Sequence, residues 1–81
     1  MKIRRTGRFL RSYQDAPALV KKAFGKQVRY LAQDLRHPSL RAKKYDEQLN
    51  YWQARVNRDW RFYFQIAGDT YILLDIMAHQ K

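Results

Sequence analysis

A run of apolar side chains near the end of the chain falls on even-numbered positions: Trp52, Ala54 and Val56, then Trp60, Phe62, Phe64 and Ile66, then Ile72, Leu74 and Ile76. Side chains alternate across a pleated strand, so this parity demands a sheet with its even face on a core. The runs read as three strands, Tyr51 to Val56, Trp60 to Ile66 and Thr70 to Ala78. Three-residue loops, Asn57-Arg58-Asp59 and Ala67-Gly68-Asp69, keep the parity through both hairpins. The predicted register sets Val56 opposite Trp60 and Arg55 opposite Arg61. On the second hairpin it sets Phe64 opposite Ile72, Phe62 opposite Leu74, and Arg61 opposite Asp75. The odd-numbered residues, Gln53, Arg55, Arg61, Tyr63, Gln65, Tyr71, Leu73, Asp75, Met77 and His79, are left on an open face.

Upstream, Lys2 to Thr6 suits an edge strand and Gly7 to Gln14 a first helix. Asp15-Ala16-Pro17 reads as the start of a second helix, with Asp15 as cap and proline in the first turn. Val20, Phe24, Val28, Leu31 and Leu35 recur at helical spacing, while Lys21, Lys22, Lys26 and Arg29 take the other side. Pro38 pushes His37 out of helical geometry and ends the element around Arg36 to Pro38. Ser39 to Asn50 reads as a loop bearing the basic cluster Arg41, Lys43 and Lys44. The predicted fold is α+β: an N-terminal strand and two helices on one face of a small antiparallel sheet, in the order β-α-α-β-β-β.

At 81 residues the chain is expected to form a single domain, residues 1–81, with one modest core. Its 46% hydrophobic and 15% aromatic content argues against disorder, and its net charge of +10 argues for a polyanionic partner. Nucleic acid, an anionic membrane or an acidic protein would each serve. No apolar run approaches the roughly 20 residues that span a bilayer, and the basic N-terminus leads into no apolar segment, so a cytoplasmic protein with no membrane partner is expected. With no cysteine and two histidines, His37 and His79, neither a disulfide framework nor a zinc cluster is expected, and no metal or cofactor is assigned.

Two arginines directly across a strand pair repel unless an anion lies between them. Guanidinium forks match phosphate oxygens, so Arg55 and Arg61 form a candidate clamp for a scissile phosphate and would offset charge building on it during cleavage. The alternative is that both are solvated strand residues partly neutralised by Asp75 or Asp59. His79 shares the parity of Arg61 and Asp75, and an imidazole titrates near neutral pH, which suits proton transfer. RNA is the matching substrate: a base takes the proton of a 2′-hydroxyl, which attacks the adjacent phosphate, and an acid protonates the departing 5′-oxygen. Asp59 or Asp75 would orient the imidazole or a guanidinium. His37, directly before Pro38, suits a capping role better than chemistry. The remaining cations, Lys21, Lys22, Lys26, Arg29, Arg36, Arg41, Lys43 and Lys44, suit nucleic acid backbone, ribosomal RNA included. Tyr63 and Tyr71 could stack bases or pack across strands.

The succession His37-Pro38-Ser39-Leu40-Arg41-Ala42-Lys43-Lys44, Trp52-Gln53-Ala54-Arg55-Val56, Asp59-Trp60-Arg61-Phe62-Tyr63-Phe64, and Gly68-Asp69 to His79 resembles the RelE/ParE superfamily of bacterial type II toxins. The resemblance covers nearly the whole chain. It implies a toxin silenced by a cognate antitoxin in a hetero-oligomer. For members similar to RelE and YafQ it implies an mRNA interferase that cuts message on the ribosome. It places Arg61 at the arginine of an aromatic-Arg pair, Arg55 near a basic or histidine position, Asp59-Trp60 at the Asp-Trp of the YafQ-like group, and His79 at its C-terminal histidine. By this reading His79, Arg61, Arg55 and Asp59 are catalytic, and Lys43, Lys44, Arg41, Tyr63 and Asp75 bind substrate. Many interferases carry a further aromatic residue where this sequence has Gln80-Lys81, and Tyr63 is the residue that could replace it. ParE-like members poison DNA gyrase instead, and that alternative stands beside a basic RNA-binding module without catalysis.

Overall fold

The structure is a computed structural model that describes residues 1–79. Its elements are β1 (Lys2–Arg5), α1 (Gly7–Asp15), α2 (Ala18–Gln33), a 3₁₀ turn (Pro38–Leu40), β2 (Lys43–Asp46), β3 (Tyr51–Arg55), β4 (Trp60–Ala67) and β5 (Thr70–Ala78). The strands form one sheet in the order β1-β5-β4-β3-β2, with β1 parallel to β5 and the other pairs antiparallel. This is the expected α+β arrangement of two helices on one sheet face. It gains a fifth strand, because Lys43–Asp46 pairs with β3 where a loop was expected.

Both helices bury aromatic side chains against the even face of β4. Phe24 of α2 meets Phe62 edge-on at 5.2 Å between ring centres, and Phe9 of α1 lies 5.3 Å from Phe24. Phe9, Phe62, Phe64, Leu31, Leu40 and Leu73 are fully enclosed. Truncating a buried phenylalanine to alanine typically costs about 3–5 kcal/mol, so this cluster holds the helices on the sheet. Thr6 joins strand to helix: its Oγ1 accepts the Phe9 N–H at 3.1 Å and donates to the Leu73 carbonyl at 2.9 Å.

Local chemistry moves the helix boundaries. Asp15 closes α1 rather than capping α2, which starts behind Pro17 without a side-chain cap. At the other end α2 stops at Gln33, because the Asp34 Oδ1 takes the Arg36 N–H at 2.9 Å and folds the backbone into a turn. His37 caps the 3₁₀ turn, its Nδ1 accepting the Ser39 N–H at 3.2 Å, and its ring stacks on Tyr30 at 3.8 Å.

The first hairpin has the predicted register, with Arg55 paired to Arg61. The second does not. Ala67 pairs with Thr70 around a two-residue Gly68-Asp69 turn, and Gly68 has φ +58°, a conformation glycine adopts without penalty. Phe64 therefore faces Leu73, not Ile72, and Tyr71 and Leu73 enter the core while Ile72 and Leu74 do not. A bulge at Leu74 then restores the parity, so that Phe62 pairs with Ile76, Tyr63 with Asp75 and Arg61 with Met77.

Candidate nucleic-acid interface and active site

Strand alternation delivers Lys43 of β2, Gln53 and Arg55 of β3 and Arg61 of β4 to the sheet face opposite the helices. With Arg41 from the end of the 3₁₀ turn and His79 just past β5, they line one cleft of about 270 Å³. Five of these six are site residues expected from the sequence, and Gln53 has the parity of that same face. Among the described residues no carboxylate lines the cleft. Among the described residues the ion pairs are Lys2–Asp69, Arg8–Asp75 and Lys44–Glu47, none of which involves a cleft residue.

The two arginines are held by the turn between their strands. Arg55 Nε donates to the Asn57 carbonyl at 3.2 Å, and Arg61 Nη1 donates to the same oxygen at 2.8 Å, to Trp60 O at 2.9 Å and to Arg58 O at 3.3 Å. Asn57 shapes that turn, its Oδ1 accepting the N–H groups of Asp59 and Trp60, each at 2.9 Å. Burial and then the neighbouring Arg55 charge push the Arg61 pKa down. From below, buried Gln27 fixes the Arg55 backbone, its Nε2 donating to Arg55 O at 2.8 Å and to Ser39 O at 3.0 Å. Ser39 Oγ donates back to Gln27 Oε1 at 3.0 Å, so every polar atom of that amide side chain has a partner. Gln27 is not among the site residues expected from the sequence, and its one signal there is a polar residue on the buried stripe of α2.

His79 is exposed, and its backbone N–H donates to the Asp59 carbonyl at 2.6 Å. Asp59, one of the two aspartates expected to orient the imidazole or a guanidinium, thus anchors His79 through its main-chain carbonyl. Asp75 leaves the site. The register shift sets Met77 opposite Arg61, and Asp75, a buried residue, accepts through its carboxylate from Arg8 Nε at 3.1 Å and from the Ile76 N–H at 2.9 Å. It lines a separate pocket with Thr6, Arg8, Tyr51 and Leu74. Lys44 also leaves, since it alternates with Lys43 and pairs with Glu47 at 3.3 Å. Tyr63 shares the arginines' face but packs on Tyr51 at 5.5 Å, and burial raises its pKa. Tyr71 is buried edge-on against Phe64 and cannot stack a base. The reading of an aromatic residue beyond His79 concerns Gln80 and Lys81, which lie outside the described residues.

No protein-family model matches the sequence, and no curated protein matches it. Solved structures do. A YoeB/ParE toxin from Agrobacterium tumefaciens superposes with a TM-score of 0.81 at 16% identity, covering 99% of this chain and 100% of that one. A RelB-RelE antitoxin-toxin complex from Methanococcus jannaschii gives a TM-score of 0.77 at 18% identity, covering 93% and 88%. YafQ from E. coli strain BL21(DE3) gives 0.75 at 15% identity, covering 96% and 92%. Likeness over most of each chain at so low an identity is a likeness of architecture, and on it this chain has the RelE/ParE toxin fold.

Proposed function

We propose that the chain is the toxin of a type II toxin–antitoxin pair and acts as a ribosome-dependent mRNA endonuclease. The observation that supports this is the cleft itself, where Arg41, Lys43, Arg55, Arg61 and His79 converge from separate segments with no carboxylate among them. In this reading Arg61 and Arg55 hold the scissile phosphate, and Arg41 and Lys43 hold its neighbours. The 2′-oxygen loses its proton, attacks phosphorus and displaces the 5′-oxygen, which takes up a proton. The products end in a 2′,3′-cyclic phosphate and a 5′-hydroxyl. His79 carries one of these protons, and the arginines stabilise the charge that builds on the phosphoryl oxygens. The chemistry assigns no cofactor. Among the described residues no group of three or more His, Cys, Asp or Glu is placed to hold a metal ion.

The antitoxin is expected to be an acidic segment that covers the basic face or adds to an exposed sheet edge. That a partner exists is supported by the RelB-RelE structure, which is of an antitoxin-toxin complex. Affinity purification from cells that co-express the neighbouring open reading frame should recover this partner.

Primer extension on a reporter message in a reconstituted translation reaction tests the activity. Wild-type protein should create discrete 5′ ends only when ribosomes are present. Arg61→Ala should cut about 10²–10³-fold more slowly, and His79→Ala about 10²–10⁴-fold. Intact message with wild-type protein would reject the endonuclease reading. Inhibition of gyrase supercoiling in the same preparation would then assign the gyrase-poison alternative.

A further inference from the structure

A second basic concavity lies behind the cleft, between α2, the 3₁₀ turn and the β3–β4 turn. It is the larger of the two, about 490 Å³ against 270 Å³. Its cations are Lys26, Arg41, Arg55 and Arg58, contributed by separate parts of the chain, and among the described residues no carboxylate lines it. Its floor is the closed Gln27–Ser39–Arg55 hydrogen-bond network, which has no unmet donor or acceptor on the amide and so forms a rigid base. None of the four cations belongs to an ion pair among the described residues. Like charges gathered over a fixed floor without a counter-ion repel one another, and a bound anion would relieve that repulsion.

We propose that this concavity is a second phosphate-binding site, occupied by the same RNA strand whose scissile phosphate lies in the cleft. The assignment rests on the reading of the cleft given above. Continuity carries it: Arg41 and Arg55 line both depressions, so a polymer with closely spaced phosphates can run from one into the other without crossing uncharged surface. Three of the four cations are arginines, whose forks grip phosphate oxygens in pairs. Arg41 sits at the junction with φ 46° and ψ 42°, a left-handed conformation that a side-chain-bearing residue adopts at a cost.

The test uses fluorescently labelled strands with 2′-O-methyl sugars, which cannot be cleaved. A dinucleotide with one phosphate should fit the cleft alone, and a hexanucleotide with five should reach both sites. Anisotropy titrations over a range of salt compare wild type with a Lys26→Ala/Arg58→Ala double variant. An Arg4→Ala/Arg5→Ala control removes the same charge from β1, on the far edge of the sheet. The Lys26/Arg58 variant should bind the hexanucleotide about tenfold or more weakly. Its slope of log affinity against log salt should fall by about 1.4, and its dinucleotide binding should match wild type. The control should keep the hexanucleotide affinity within about twofold of wild type.

Equal losses for both strand lengths, equal losses in the β1 control, or no loss at all would overturn the second site. A hexaglutamate peptide that binds as tightly as the hexanucleotide, with the same loss in the double variant, would overturn the assignment to phosphate. Failure of the cleavage reading is separately visible. Message would then stay intact in the translation assay, and the length-dependent binding result would still decide whether the second site exists.

Discussion

At the scale of single residues, the cleft is built by groups that give up stability or hold others in place. Arg41 occupies a left-handed backbone conformation (φ 46°) while its side chain faces solvent. Replacing it with glycine should remove the backbone cost, about 1–2 kcal/mol, offset in part by roughly 1 kcal/mol from glycine's greater freedom in the unfolded chain. Arg41→Gly should therefore be as stable as wild type or up to about 1 kcal/mol more stable in urea unfolding, yet bind RNA more weakly. A variant that lost stability would show that the Arg41 side chain supports the fold. Gln27 makes the opposite case. Gln27→Leu keeps the volume but leaves the carbonyls of Ser39 and Arg55 without their donor, which should cost about 1–3 kcal/mol. It should also lower cleavage more than stability alone explains, because the Arg55 backbone loses its anchor. Unchanged cleavage in a folded Gln27→Leu protein would remove Gln27 from the positioning of the clamp.

At the scale of elements, the first hairpin was legible in the sequence and the second was not, and the difference is physical. Trp60, Phe62 and Phe64 alternate with Arg61 and Tyr63, and Asn57 supplies the side-chain acceptor that closes the turn, so pattern and turn chemistry agree. In β5, Tyr71-Ile72-Leu73-Leu74 is apolar at every position and contains no parity to read. Its register depends on whether the turn has two residues or three, and a one-residue difference exchanges the faces of the strand. The bulge at Leu74 then returns Ile76 to the core, so the error of facing is confined to the first half of β5, while beyond the bulge each pair is displaced by two residues and Met77 rather than Asp75 meets Arg61. Strand β2 was hidden for another reason: Lys43-Lys44-Tyr45 is exposed, and an edge strand without a buried face has no hydrophobic signature. The arginine cleft survived these errors because all but one of its sheet residues lie in the hairpin whose register was fixed by both signals, and His79 follows the bulge that restores parity. Gly68 gives the matching prediction. A Cβ there meets no atom within 4 Å, so a substitution tests only the positive φ. Gly68→Asn should cost a few tenths of a kcal/mol, and Gly68→Val about 1–2 kcal/mol, in urea unfolding. Equal losses would mean that something other than backbone conformation limits the turn.

At the scale of the whole molecule, charge sets the balance between folding and binding. Seventeen lysines and arginines against seven acidic residues leave +10 on a chain whose Cα radius of gyration is 11.6 Å. Among the described residues the three ion pairs involve only three of those acidic side chains, Asp69, Asp75 and Glu47, and no acidic side chain lines either basic depression. The free protein therefore folds against its own repulsion, which salt screens: the Debye length falls from over 20 Å near 20 mM to about 6 Å near 300 mM. Raising sodium chloride over that range should raise the melting temperature of the free protein by about 2–6 °C, the equivalent of roughly 0.5–1 kcal/mol for a domain of this size. The same change should weaken RNA binding steeply, because phosphate contacts release counter-ions. An acidic antitoxin would remove the repulsion by a different route, so the melting-temperature gain on complex formation should shrink as salt rises. Differential scanning fluorimetry of the free and complexed protein across one salt series measures both trends. A flat or falling melting temperature for the free protein would show that its charges are already balanced within the fold, and would weaken the case that the uncompensated arginines are waiting for a polyanion.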